Sequence, residues 1–144
     1  MKVNFYDKVD DCLLKFAVVI AEYKDNLVLC KHKDRNTYEI PGGHRENNEA
    51  IEKTAKRELY EETGAINFTL KPVCVYSVFG KNRVNEIGNE TFGMLFFAEI
   101  ETFEHELHNE IEYIEFFNKL PENLTYPEIQ PVLFEEFLRR KNGI

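Results

Sequence analysis

GHRENNEAIEKTAKRELYEETGA, residues 43–65, is the stretch from which the rest of the chain can be read. Gly43 is followed by Glu49, then by the pair Arg57 and Glu58, an apolar Leu59, the pair Glu61 and Glu62, and finally Gly64. Asn47 and Asn48 are N-cap candidates, Glu49 suits the positive end of a helix dipole, and Gly64 stands where a left-handed residue would stop a helix. The spacing therefore predicts a helix over 49–63. At about 100° per residue, Ile51, Ala55 and Leu59 form an apolar stripe, with Glu52, Lys53, Lys56 and Tyr60 opposite or flanking it. Glu62 projects into that stripe, Glu58 lies on its edge, and Glu61 lies further round on the same side.

A carboxylate facing the buried side of a helix is costly to desolvate unless it is paired, hydrogen-bonded or bound to a metal. Glu58, Glu61 and Glu62 stand at i, i+3 and i+4, where like charges repel across one surface. Hard oxygen donors with spare charge suit Mg²⁺, with Mn²⁺ as an alternative. A solvated acidic helix face is the competing reading, and the inward facing of Glu62 argues against it.

The full spacing resembles the signature of the Nudix hydrolases, Mg²⁺-dependent enzymes that cleave nucleoside diphosphates linked to another moiety. The resemblance implies an α/β fold, an α/β/α sandwich with a mixed sheet, in which the box at 43–65 forms a loop, a helix and a loop. It implies that Glu58, Glu61 and Glu62 bind the metal, joined by the carbonyl of Gly42. Arg57 matches the arginine that orients the catalytic glutamates, and Glu49 the acid that holds it by a salt bridge. The proton-accepting base falls either on Glu58 or on Glu110, in the acidic stretch ETFEHELHNEIEY before the last strand. Ala65 departs from the family pattern, which carries a larger aliphatic residue there.

Phosphate contacts are expected from Lys31 at the end of the second strand, or from Arg45 beside the Pro41-Gly42-Gly43 segment, which reads as a tight turn. Tyr38, Tyr76 or Phe79 could stack on a base, and Gln130 or Glu128 could read its edge. The chain looks most like the MutT-type branch, which converts nucleoside triphosphates, oxidised ones such as 8-oxo-dGTP among them, to monophosphate and pyrophosphate. The alternatives are hydrolysis of ADP-ribose, a nucleotide sugar or a dinucleotide polyphosphate, and a non-catalytic nucleotide sensor. The sensor would be expected to lose box carboxylates, and here all are present.

Composition is consistent with this reading. The 144 residues are 43% hydrophobic, enough for one domain over 1–144 with its own core. A formal charge of −8 disfavours nucleic acid as a partner and leaves an anionic small-molecule nucleotide to be held by a local cation. Cys12, Cys30 and Cys74 lie in apolar, strand-like runs and read as buried free thiols in a reducing, cytoplasmic setting. No apolar run approaches the ~20 residues of a membrane span, so no membrane partner is expected. The expected assembly is a monomer or homodimer.

Strands are expected at 13–23, 26–32, 38–40, 68–79, 91–100 and 111–117 from β-branched and aromatic enrichment. A second helix is expected to start near Pro131, with Leu133, Phe134, Phe137 and Leu138 as its apolar face and Arg139, Arg140 and Lys141 at its negative end.

Overall fold

The computed structural model describes residues 1–80, 89–106 and 111–144. Along the chain run strands β1 (Lys2–Tyr6), β2 (Leu14–Tyr23), β3 (Asn26–His32) and β4 (Gly42–His44), then helix α1 (Ile51–Thr63). They are followed by β5 (Ala65–Phe79), β6 (Glu90–Phe103), β7 (Ile111–Phe117) and helix α2 (Gln130–Arg140). Among the described residues the seven strands make one sheet, in the order β1-β5-β6-β2-β3-β7, with β4 paired to β2. β2 runs parallel to β6 and the other pairings are antiparallel, so the sheet is mixed. No described helix is long and apolar enough to cross a membrane.

The two central strands are apolar on both faces, as strands covered on each side by a helix must be. Ala17, Val19 and Ala21 of β2, with Phe96, Ala98 and Ile100 of β6, pack with Ala55 and Leu59 of α1. Their neighbours in sequence, Ile20, Leu95 and Phe97, face the other way and pack with Leu133 and Phe137 of α2. The result is the α/β/α sandwich with a mixed sheet that the family resemblance implied.

Helix α1 begins two residues later than expected, and neither asparagine caps it. Asn48 has φ 63° and turns the chain in the left-handed region that Asn tolerates; Ala50 occupies the cap position without a side-chain bond. Glu49 binds the turn instead, accepting from the Glu46 N–H at 3.1 Å and the Thr54 hydroxyl at 2.7 Å. Gly64, at φ 77°, closes the helix as expected, its N–H reaching the Tyr60 carbonyl.

Several other expectations are corrected. β1 lies outside the expected strands; it pairs along the second half of β5, from Lys2 with Phe79 to Tyr6 with Val75. Residues 38–40 form no strand, because Tyr38 bridges to Leu124 and Glu39 to Cys30, and no two successive residues share a partner. The strand lies instead at Gly42–His44, where a tight turn was expected, and neither Gly42 nor Gly43 has positive φ. Cys12 is exposed in a short 3₁₀ turn before β2, whereas Cys30 and Cys74 are buried free thiols. Leu138 is 51% exposed and lies outside the apolar face of α2.

Phe137 is fully buried, 4.9 Å from the ring of Phe97, and anchors α2 to the sheet. Phe137→Ala is expected to cost about 3–5 kcal/mol, and Leu138→Ala less than about 0.5, when unfolding is followed in urea.

Candidate active site

The site forms where β4 passes between β2 and α1. Pro41 accepts the Val19 N–H at 2.8 Å and the Arg45 N–H reaches the Lys15 carbonyl at 2.8 Å, so these residues face β2. By the alternation of an antiparallel ladder, Gly42 turns its own N–H and carbonyl the other way, toward α1. Its N–H donates to Glu62 Oε1 at 2.8 Å. Gly43, next in line, lies so close to Glu58 that a Cβ there would sit 2.3–2.6 Å from the Glu58 carboxyl atoms. Two carboxylates of one helix thus meet the backbone of two adjacent glycines.

Exposure of the three acids follows the helical facing read from the sequence. The side chains of Glu62, Glu58 and Glu61 are 12%, 14% and 35% exposed. They do not close into one cluster, however. Arg57 Nη1 donates to Glu58 at 2.8 Å and Glu61 at 3.4 Å, whereas Glu62 turns to Gly42 and to His32, whose Nε2 lies 3.2 Å from Oε2. Like charges repel, and each carboxylate takes its nearest donor. Arg57 is held from the far side by Glu49, through Nε at 2.7 Å and Nη2 at 3.0 Å. The ion pair drawn between these two residues from the sequence is present.

The electrostatics separate the acids further. The Arg57 hydrogen bond pulls the Glu49 carboxyl down to about 2, whereas burial, with the charge of Glu62 beside it, pushes Glu58 up to about 7. Glu62 is also raised, by burial first. His32 is raised by its bond to Glu62.

A divalent cation suits these oxygens. Glu58 and Glu62 flank the same glycine pair, the Gly42 carbonyl is turned to that side, and Gly43 leaves the space that the Glu58 carboxylate fills. Softer donors also gather here: Cys30, His32 and Glu62 offer ligand atoms within 4.8 Å of one another. The Cys30 thiol is committed elsewhere, donating to the Glu39 carbonyl at 3.6 Å, and burial holds its pKa well above the ordinary value.

A cavity of about 200 Å³ opens beside the glycines. Its walls include Gly42, Gly43 and Glu62 together with Phe16, Tyr76, Ile129 and Leu133. Gln130 lines it, but its amide is clamped to Ile40, Oε1 accepting the backbone N–H at 2.8 Å and Nε2 reaching the carbonyl at 3.4 Å.

Other expected contacts lie elsewhere. Lys31 pairs with Glu112 at 2.7 Å and lies over the Tyr113 ring, outside the cavity lining. Arg45 is spent on Asp11, the Leu14 carbonyl and the Glu49 carbonyl, tying β4 to the start of β2. Tyr38 packs on Phe117 and shares a hydrogen bond with the Tyr113 hydroxyl; it too is absent from the lining. Tyr76 lines the cavity, whereas Phe79 and Glu128 are exposed away from it. Glu110 lies outside the described residues.

Three residues that the sequence reading passed over, His32, Arg35 and Glu39, line the cavity and join one another and Glu62. The available signal was Glu39 itself, an acid set between Tyr38 and Ile40 directly before the glycines.

Comparison with known proteins agrees with this geometry. Residues 13–131 match the model of the NUDIX domain. The chain belongs to the Nudix family. Over 130 residues, 87% of this chain and 75% of the relative, it is 35% identical to a protein of Bacillus subtilis (strain 168) named "Putative 8-oxo-dGTP diphosphatase YtkD". It also resembles the crystal structure of a mutant form of the Bacillus subtilis pyrophosphohydrolase BsRppH. There the TM-score is 0.75 and the identity 28%, over 95% of this chain and 90% of that one. A MutT Nudix hydrolase of Burkholderia pseudomallei, at 20% identity and TM-score 0.65 over 84% and 95% of the two chains, shares the fold. This protein is accordingly a Nudix hydrolase, from a family of pyrophosphohydrolases that generally use divalent cations on small nucleotide substrates.

The two glycines make separable predictions. A Cβ on Gly42 would lie 2.5 Å from the Ala17 carbonyl, which is backbone, so Gly42→Ala is expected to cost about 1–3 kcal/mol in denaturant unfolding. At Gly43 the obstructing atoms are the movable end of Glu58; Gly43→Ala is expected to leave stability within about 1 kcal/mol while lowering hydrolytic turnover at least about tenfold.

Proposed function

We propose that this Nudix hydrolase converts a nucleoside triphosphate, with a canonical or an oxidised base, to the monophosphate and pyrophosphate, using Mg²⁺. The observation that carries the reading is the cavity. At about 200 Å³ it falls below the ~300–1,000 Å³ usual for a whole small-molecule ligand, and Gly42, Gly43 and Glu62 form part of its wall. Such a space accepts one flat end of a nucleotide and leaves the phosphates at the glycines. The 35% identity to a protein named for 8-oxo-dGTP supports the triphosphate over the other compounds.

In this reading Glu58, Glu61, Glu62 and the Gly42 carbonyl hold the cation. Bound there, it would neutralise phosphate oxygens and make a coordinated water more acidic. Arg57, fixed by Glu49, keeps Glu58 and Glu61 oriented and limits their repulsion. Glu58 or Glu110 accepts the proton of the attacking water. Within the cavity, Phe16 and Tyr76 offer aromatic surface to a base, and Gln130 offers the amide hydrogen not pointed at Ile40.

The reading is tested by incubating the protein with Mg²⁺ and canonical and oxidised (d)NTPs, ADP-ribose, nucleotide sugars and dinucleotide polyphosphates, and separating the products by chromatography. Monophosphate plus pyrophosphate from a triphosphate is the expected result; turnover of the other compounds alone would replace it. EDTA is expected to abolish activity. Glu62→Gln should lower kcat at least about 100-fold in a folded protein, since a catalytic cation supplies several kcal/mol of transition-state stabilisation. Glu104 accepts from the Tyr60 hydroxyl at 2.8 Å and serves as the control for the base. Glu110→Gln is expected to slow turnover far more than Glu104→Gln, and equal effects would exclude Glu110.

A further inference from the structure

Both oxygens of Glu62 are held, and by different elements. Oε1 accepts the Gly42 N–H at 2.8 Å from β4; Oε2 lies 3.2 Å from His32 Nε2 at the end of β3. The same ring nitrogen lies 3.3 Å from Glu39 Oε2, and the other oxygen of Glu39 accepts from Arg35. The side chains of His32, Glu39 and Glu62 are 15%, 8% and 12% exposed, so both carboxylates approach the one imidazole nitrogen from largely buried positions. The imidazole is what separates two buried carboxylates that would otherwise repel at close range.

We propose that His32 is a positioning residue for Glu62: its Nε2–H, set between Glu62 and the Glu39 that Arg35 holds, donates to the Glu62 carboxylate and fixes it in the orientation that a cation requires. The proposal rests on the reading of Glu62 as a cation ligand. Each carboxylate oxygen carries about two lone-pair sites. One donor on each, Gly42 N–H and His32 Nε2–H, leaves the remaining site of each oxygen for a metal and removes the freedom of the carboxylate to rotate. Without the imidazole, Glu62 keeps one anchor and meets Glu39 directly. An outer partner of this kind governs ligand orientation, and its loss typically costs about 10–100-fold in metal affinity. Because His32, Arg35 and Glu39 also line the cavity, the group that fills it touches the same chain of contacts that orients Glu62.

The experiment is Mn²⁺ binding to the substrate-free protein, measured by electron paramagnetic resonance, for the wild type, His32→Ala, His32→Leu, His32→Gln and Glu62→Gln, with steady-state kinetics alongside. His32→Ala and His32→Leu are expected to weaken Mn²⁺ binding about 10–100-fold and to lower kcat with little change in KM. His32→Gln, whose amide N–H can replace the donor, is expected to recover most of the loss. Should His32→Ala fail to fold, the bulkier His32→Leu carries the same expectation. Mn²⁺ affinity within about twofold of wild type in the folded alanine or leucine variant overturns the proposal, as does a His32→Gln protein no better than either. Loss of binding in Glu62→Gln alone removes the role of His32 and leaves Glu62 as a ligand; unchanged binding in Glu62→Gln removes the ligand reading itself.

Discussion

The structure depends on the passage of Gly42 and Gly43 between strand β2 and helix α1. On one side there is no room for a Cβ at Gly42, because the Ala17 carbonyl and the Val18 backbone are already in contact range. On the other, the Glu58 carboxylate occupies the place a side chain of Gly43 would take. Glycine is required here for close approach, not for a left-handed turn, since both residues are extended in β4. That approach lets a backbone N–H meet Glu62 and turns a carbonyl to the same side, and it places both glycines in the cavity wall.

Arg57 organises the opposite flank of the helix. A guanidinium has five N–H donors in a fixed fork and keeps its charge, so it can serve several carboxylates at once. Here it contacts Glu49, Glu58 and Glu61 and donates to the His44 carbonyl at 2.9 Å. The acids are not equal partners. Glu49 is held ionised by its bond to Arg57, which outweighs its burial, whereas Glu58 lies in a drier place beside Glu62 and resists its charge despite the same arginine. The turn before α1 therefore carries an acid that locks the arginine, and the helix carries an acid whose ionisation a further cation would favour.

Most of the framework was legible in the sequence because it is encoded by local spacing. The period of Ile51, Ala55 and Leu59 gave the buried face of α1, Gly64 its end, and the inward facing of Glu62 followed from the same wheel. β3 and β7 have the bounds expected of them, and β2 and α2 lie within about a residue of theirs. What escaped was set by neighbours distant in the chain. β1 is a short alternating segment whose strand character comes from the long β5 it borders. The Pro-Gly-Gly segment reads as a turn in isolation, and its two glycines enter a strand only because β2 offers them an edge. Lys31, Arg45 and Tyr38 carried the right chemistry for a ligand, but Glu112, Asp11 and Tyr113, far off in sequence, claim them first.

The same division separates chemistry from selectivity. The carboxylates and their arginine lie within one helix and the turn before it, so the short motif at 43–65 captures them. The cavity is closed by Tyr126, Ile129, Gln130 and Leu133, which approach from the far end of the chain. Gln130 bonds both backbone groups of Ile40, two residues before Gly42, so the first turn of α2 and the glycine strand are fixed to each other. A change in how α2 seats on the sheet would therefore alter the cavity wall and the backbone that meets Glu62 together. Selectivity in such a site is a property of tertiary closure, and two chains with the same box can differ in substrate without any difference in the residues that perform the hydrolysis.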